Sequence, residues 1–242
     1  MMKMTGKRLI TAATRMSDAV SGNPFMLLLL EHMGIDLPLQ EKTVGELASD
    51  YGLTTGLFIT FIHLYGDADH SVGTLSDDEV PGIIRYLRNS HRYYTEDVYP
   101  GIMESIRRIS GEGSSEEAML IEKFFGDYLE EVKNHFEYEE DTVFPYIDQL
   151  LGRISSEGTA GEAGGYSVAE YKEHHDDIEE KLDDLKNLLI EYLPLKEGRN
   201  MRRRLLFKLY ELEHDLRIHS RIEDYILIPL VTSMEKRLKE NR

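Results

Sequence analysis

A shift of 84 residues lays a set of this chain's metal-type side chains on one another. It places His91 on His175, His135 on His219, Glu139 on Glu223 and Pro145 on Pro229. The two longer matches run from His135 through Glu139 to Pro145 and from His219 through Glu223 to Pro229. Both read H-x-x-x-E, with a proline six residues after the glutamate. Histidine fills only 9 of 242 positions, so two coincident His pairs beside a matched Glu pair point to a duplicated helical hairpin.

On a helix, residues four apart share a face, with Cβ atoms about 5–6 Å apart. His135 with Glu139, and His219 with Glu223, therefore each present one nitrogen and one oxygen on one face. His91 and His175 add one nitrogen from each of two further helices. Two metal ions bridged by the two carboxylates, each with two imidazoles, account for all six side chains. One oxo or hydroxo bridge would leave each ion about five-coordinate, with room for a small ligand. Imidazole with carboxylate suits iron, and less specifically manganese or zinc. An isolated H-x-x-x-E is often only a favourable surface contact. Here the pairs sit among Phe136, Val143, Phe144 and Ile147, and among Ile218, Ile222, Ile226 and Leu230. That places them near a buried seam, where carboxylates and imidazoles must be paired or coordinated.

The register also separates neighbours. His174 and His175 point about 100° apart on a helix, so both cannot face one ion. Only His175 has a matching histidine, and His174 and His214 are read as outer or surface groups. Glu179 is read as a further ligand or as a hydrogen-bond partner of an imidazole, although its mate is Thr95. Tyr93, Tyr94 and Tyr138 are read as packing residues, although a tyrosine near a metal pair could hydrogen-bond a bound ligand. His32, His63 and His70 lie outside the repeat and are read as structural or exposed.

Helical periodicity dominates the chain. Four long helices are expected: from Pro81 to Ile109, from Ser114 to Leu151, from Ser167 to Tyr192, and from Met201 nearly to the end. Short connections between them make an antiparallel four-helix bundle. Capping-box spacing opens the second at Ser114/Glu117 and the third at Ser167/Glu170, and a bend is expected near Pro145. Residues 1–66 suggest a small helical domain with helices over Thr5–Val20, Pro24–Met33 and Thr43–Tyr51, then the apolar stretch Thr55–Tyr65. Residues 67–80 read as an acidic linker, and residues 81–242 as the bundle. The fold class is all-α.

Composition narrows the function. Net charge is −17, with 45 acidic against 28 basic residues, so the surface repels phosphate backbones and nucleic acid is not an expected partner. The chain has no cysteine, which excludes disulfides, thiolate ligands and cysteine nucleophiles. Met1 to Met16 has no uninterrupted apolar core and does not read as a signal peptide. The densest apolar run, Pro24 to Leu30, is far below the roughly 20 residues a membrane span needs. A cytoplasmic location and no membrane contact are expected. Glu46 to Leu53 has helix-turn-helix spacing. The following Leu57 to Ile62 is apolar and uncharged, however, and belongs in a core rather than a DNA groove.

Four His-bearing helices with two H-x-x-x-E segments resemble a hemerythrin-like (HHE cation-binding) domain, and His135 to Pro145 is close to that family's signature. The resemblance covers residues 81–242. It implies a non-haem di-iron site, with His91, His135, Glu139, His175, His219 and Glu223 as ligands, that meets dioxygen, nitric oxide or peroxide. The family's oxygen carriers draw a fifth histidine from an H-x-x-x-H helix, whereas here that helix reads His175-x-x-x-Glu179. The four-His, two-Glu set is more similar to the di-iron proteins that repair iron–sulfur clusters under nitrosative or oxidative stress. Leu29 to Leu47 likewise resembles the small domain preceding the bundle in those proteins. Leu37-Pro38 stands where their Cys-Cys follows Gly-Ile-Asp, so any function of those thiols is absent from this chain. The expected activities are iron donation or reduction of the small ligand, with a sensor or iron store that does not turn over as the alternative.

Overall fold

The computed structural model describes residues 10–66, 75–110, 116–155, 166–174, 180–191 and 199–240. Helix dominates, and the one β feature among the described residues is an isolated bridge between Arg15 and Thr43. The chain forms two compact units: residues 1–89 with 221–230, and residues 90–220 with 231–242.

In the first unit, α1 (Met16–Gly22), α2 (Met26–Met33), α3 (Val44–Asp50) and α4 (Thr55–Tyr65) are followed by a 3-10 turn at Asp77–Glu79 and by the start of α5 (Val80–Tyr93). The expected linker lies partly outside the described residues. α1 starts later than the sequence suggests. The Thr11 amide bonds the Thr14 hydroxyl, Met16 N donates to Lys42 O, and Val44 N donates to Thr14 O. These bonds hold residues 11–15 in an extended and turn conformation that competes with helix. α3 opens on a capping box of Thr43 and Glu46. The Thr43 amide and hydroxyl both donate to the Glu46 carboxylate and hold it below the usual Glu range. α2 ends at Gly34, whose φ of 69° is a left-handed cap that suits glycine. Leu57, Phe58, Phe61 and Ile62 are buried, as expected of core rather than of a DNA-reading helix. Tyr86 of α5 is fully buried, with its hydroxyl 2.7 Å from that of Tyr65 and its ring against Phe61 and His32.

The second unit is built on α6 (Tyr99–Ser110), α7 (Glu116–Tyr138), α8 (Phe144–Ser155), α9 (Val168–His174), α10 (Glu180–Glu191) and the long α11 (Arg199–Ile222), with the end of α12 (Ile228–Glu240). α6, α7, α10 and α11 each contribute an apolar stripe at steps of three and four. Tyr99, Ile102 and Ile106 face Ile121, Phe125, Tyr128, Val132 and Phe136, and Leu182, Leu185 and Leu189 meet Leu205, Leu209, Leu212 and Leu216 in one buried core. This is the expected all-α bundle. The Ser114/Glu117 cap lies outside the described residues or side chains, whereas α9 does start directly after Ser167.

Three long helices pass through a five-residue π-turn: Tyr94–Val98, Glu139–Val143 and Glu223–Leu227. Each turn closes with an amide donating five residues back, from Tyr99 to Tyr94, Phe144 to Glu139 and Ile228 to Glu223. The next residue is proline every time: Pro100, Pro145 and Pro229. A proline within a helix lacks its N–H and its ring presses on the carbonyl four residues back. Opening the turn relieves that contact without ending the helix. The expected disturbance near Pro145 therefore takes the form of a wide turn, repeated in three helices.

Candidate metal centre

The wide turns fix the inward-facing side chains. The first residue of each turn, Tyr94, Glu139 or Glu223, stands six before the proline and is fully buried. His135 and His219 each stand one helical turn earlier. Alignment on the prolines puts Ser90 and Tyr94 in the first helix where the others carry His and Glu. His91 is thus one position off the His135 and His219 register.

Within the second unit, His91, Glu139 and His219 converge, each offering one ligand atom with all three within 4.8 Å of one another. His91 is 4% exposed, and Glu139 and His219 are not exposed at all. His91 Nε2 lies 3.2 Å from Glu139 Oε2, and the His135 Nε2 lies 3.5 Å from Glu139 Oε1. The two imidazole rings of His91 and His219 are 5.1 Å apart. Phe136 stacks on His91 at 4.1 Å, Phe144 stacks at 5.8 Å, and Tyr94 meets the His219 ring edge-on at 5.9 Å. The site is walled by aromatics, so a charge held there is poorly screened.

Contacts behind the imidazoles set their orientation. The Nδ1 of His91 is 3.0 Å from Glu140 Oε1, and the Nδ1 of His219 is 2.9 Å from Ser90 Oγ. An ionised carboxylate only accepts, so Glu140 fixes the His91 proton on Nδ1. A neutral His91 then sets an Nε2 lone pair against the Glu139 carboxylate 3.2 Å away. A shared cation, proton or metal, resolves that repulsion, and the Nε2 and carboxylate donor set fits a first-row metal. Glu139 has a further partner, since the Tyr171 hydroxyl donates to its Oε1 at 2.7 Å.

Of the residues read from sequence, the structure brings together His91, His135, Glu139 and His219. Glu223 is fully buried in the π-turn that begins four residues after His219. His175, Glu179 and His70 lie outside the described residues. His214 is partly buried on α11, while His32 and His63 belong to the first unit. Tyr94 packs in the core, and Tyr138 bonds the Tyr166 hydroxyl at 2.9 Å. Ser90, Glu140 and Tyr171 were not apparent from the 84-residue register. Proline alignment would have found Ser90, and adjacency to Glu139 flags Glu140. Tyr171 carried no signal.

The sequence profile described as Hemerythrin HHE cation binding domain matches residues 82–231. The match spans more than half of the chain, and the protein belongs to the hemerythrin HHE cation-binding family. No curated protein matches it. Among the described residues, no helix is long and apolar enough to cross a membrane.

Proposed function

We propose that this chain is a cytoplasmic non-haem di-iron protein that responds to nitric oxide or reactive oxygen and donates iron to damaged iron–sulfur clusters or reduces the small ligand. The observation that carries the metal reading is the convergence of His91, Glu139 and His219 inside an aromatic wall. His91 and His219 would hold one iron and His135 the second, with Glu139 offering a carboxylate oxygen to each side. The sequence register adds His175 and Glu223 as the remaining ligands. Bound iron would supply electrons and an open position for dioxygen, nitric oxide or peroxide. The chain's own residues do the rest. Glu140 and Ser90 hold the imidazole rings in register, while Phe136, Phe144 and Tyr94 keep water from the buried donors.

A second reading, a sensor or iron store without turnover, draws on the absence of any thiol and on the full burial of Glu139 and His219. Anaerobic iron-loaded protein mixed with nitric oxide separates these readings. A fast change of the visible spectrum is expected in either case. Continued consumption of nitric oxide with a reductant present supports turnover, stoichiometric uptake supports the sensor or store, and an unchanged spectrum at full iron loading contradicts both.

A further inference from the structure

The two oxygens of Glu139 are not equivalent. Oε2 faces His91 at 3.2 Å, whereas Oε1 lies 3.5 Å from His135 and accepts the Tyr171 hydroxyl at 2.7 Å. Tyr171 is 2% exposed, so no water competes for that bond. A carboxylate oxygen that accepts a hydrogen bond is less basic, and one of its lone-pair directions is already in use. The 84-residue register lays Tyr171 on Leu87, an aliphatic side chain with no hydroxyl to offer. Tyr171 therefore breaks the equality that the duplicated ligand set would otherwise impose.

We propose that the Tyr171 hydroxyl, by bonding Glu139 Oε1, makes the metal position on the His135 side the weaker and more exchangeable of the two. The inference rests on the two-metal reading above. On this account the His91–His219 position fills first and keeps its ion. The His135 position fills second and releases first, so a centre built from a repeat becomes one retained ion and one deliverable ion. Tyr171 is not a ligand in this account. It acts through the carboxylate it bonds.

Stepwise titration of the metal-free full chain with cobalt(II), followed by absorbance and by calorimetry, tests this. The wild type is expected to bind two ions in two resolved steps. His135→Ala should remove the weaker step and leave the tighter one, which assigns the steps. Tyr171→Phe keeps the ring and its packing but removes the hydroxyl, and should tighten the weaker step by about tenfold while leaving the other unchanged, as the freed carboxylate oxygen regains about one unit of basicity. Two equal steps in the wild type, or a Tyr171→Phe variant whose steps keep their wild-type ratio, overturns the proposal. Loss of an intense phenolate-to-metal band from the iron-loaded protein on Tyr171→Phe also overturns it, because Tyr171 would then be a ligand. Binding of one ion only, in wild type and Tyr171→Phe alike, would instead defeat the two-metal reading on which the inference stands.

Discussion

At the scale of single residues, the candidate metal centre separates into side chains that offer donor atoms and side chains that aim them. Glu140 and Ser90 belong to the second group, each bonded to the Nδ1 of a buried imidazole. Glu140→Ala and Ser90→Ala should each weaken metal binding by about 10- to 100-fold without abolishing it. Competition with a chelator of known affinity measures this, and an unchanged affinity in both variants would remove Glu140 and Ser90 from the account. The candidate donor residues were legible in the sequence because H-x-x-x-E and its duplicate place His and Glu on one helix face. The aiming residues were not. Ser90 is bonded across 129 positions to His219, and Tyr171 across 32 to Glu139. The proline register marks the position of Ser90, but no local spacing encodes the contact that either residue makes.

At the scale of the helices, the three π-turns explain why proline sits within long helices that carry the site. A proline that forces the wide turn after Glu139 also sets the angle between that carboxylate and His135 one turn before. Pro145→Ala restores a backbone donor and removes the ring's clash, so the helix gains the option of the regular α register. The metal-free variant should therefore be more stable, by up to about 3 kcal/mol. Its metal affinity should fall, because annealing the turn rotates Glu139 away from its partners. Thermal unfolding with and without metal checks both signs together. A variant that is less stable and binds metal as tightly as wild type would show that the turn does not position Glu139. The proline spacing was visible in the sequence, but its consequence was read as a bend. The first helix was read too long for a related reason: side-chain and backbone bonds at Thr11, Thr14 and Val44 outcompete helix where periodicity favoured it.

At the scale of the whole molecule, the start of α5 belongs to the compact unit formed by the N-terminal helices. Tyr86 meets Tyr65, Phe61 and His32, the Arg85 guanidinium donates to Tyr51 O, and Asn89 donates to His32 O. A fragment of residues 81–242 keeps every proposed metal ligand yet leaves this face of α5 uncovered. Its thermal midpoint should fall by several degrees, since about 1 kcal/mol shifts a domain of this size by about 2–4 °C. Loss of large buried side-chain contacts also favours aggregation. A fragment as stable and as soluble as the full chain would show that the N-terminal helices contribute nothing to the bundle's integrity.

The proposed chemistry stands on one carboxylate, Glu139, shared between two metal ions. Iron counted per chain, in full-length protein loaded without oxygen and freed of loose metal, tests it most directly, with Glu139→Ala measured beside the wild type. Two irons per chain in the wild type are predicted, with neither tightly retained in Glu139→Ala. One iron per chain in the wild type, or two retained in Glu139→Ala, would contradict the claim.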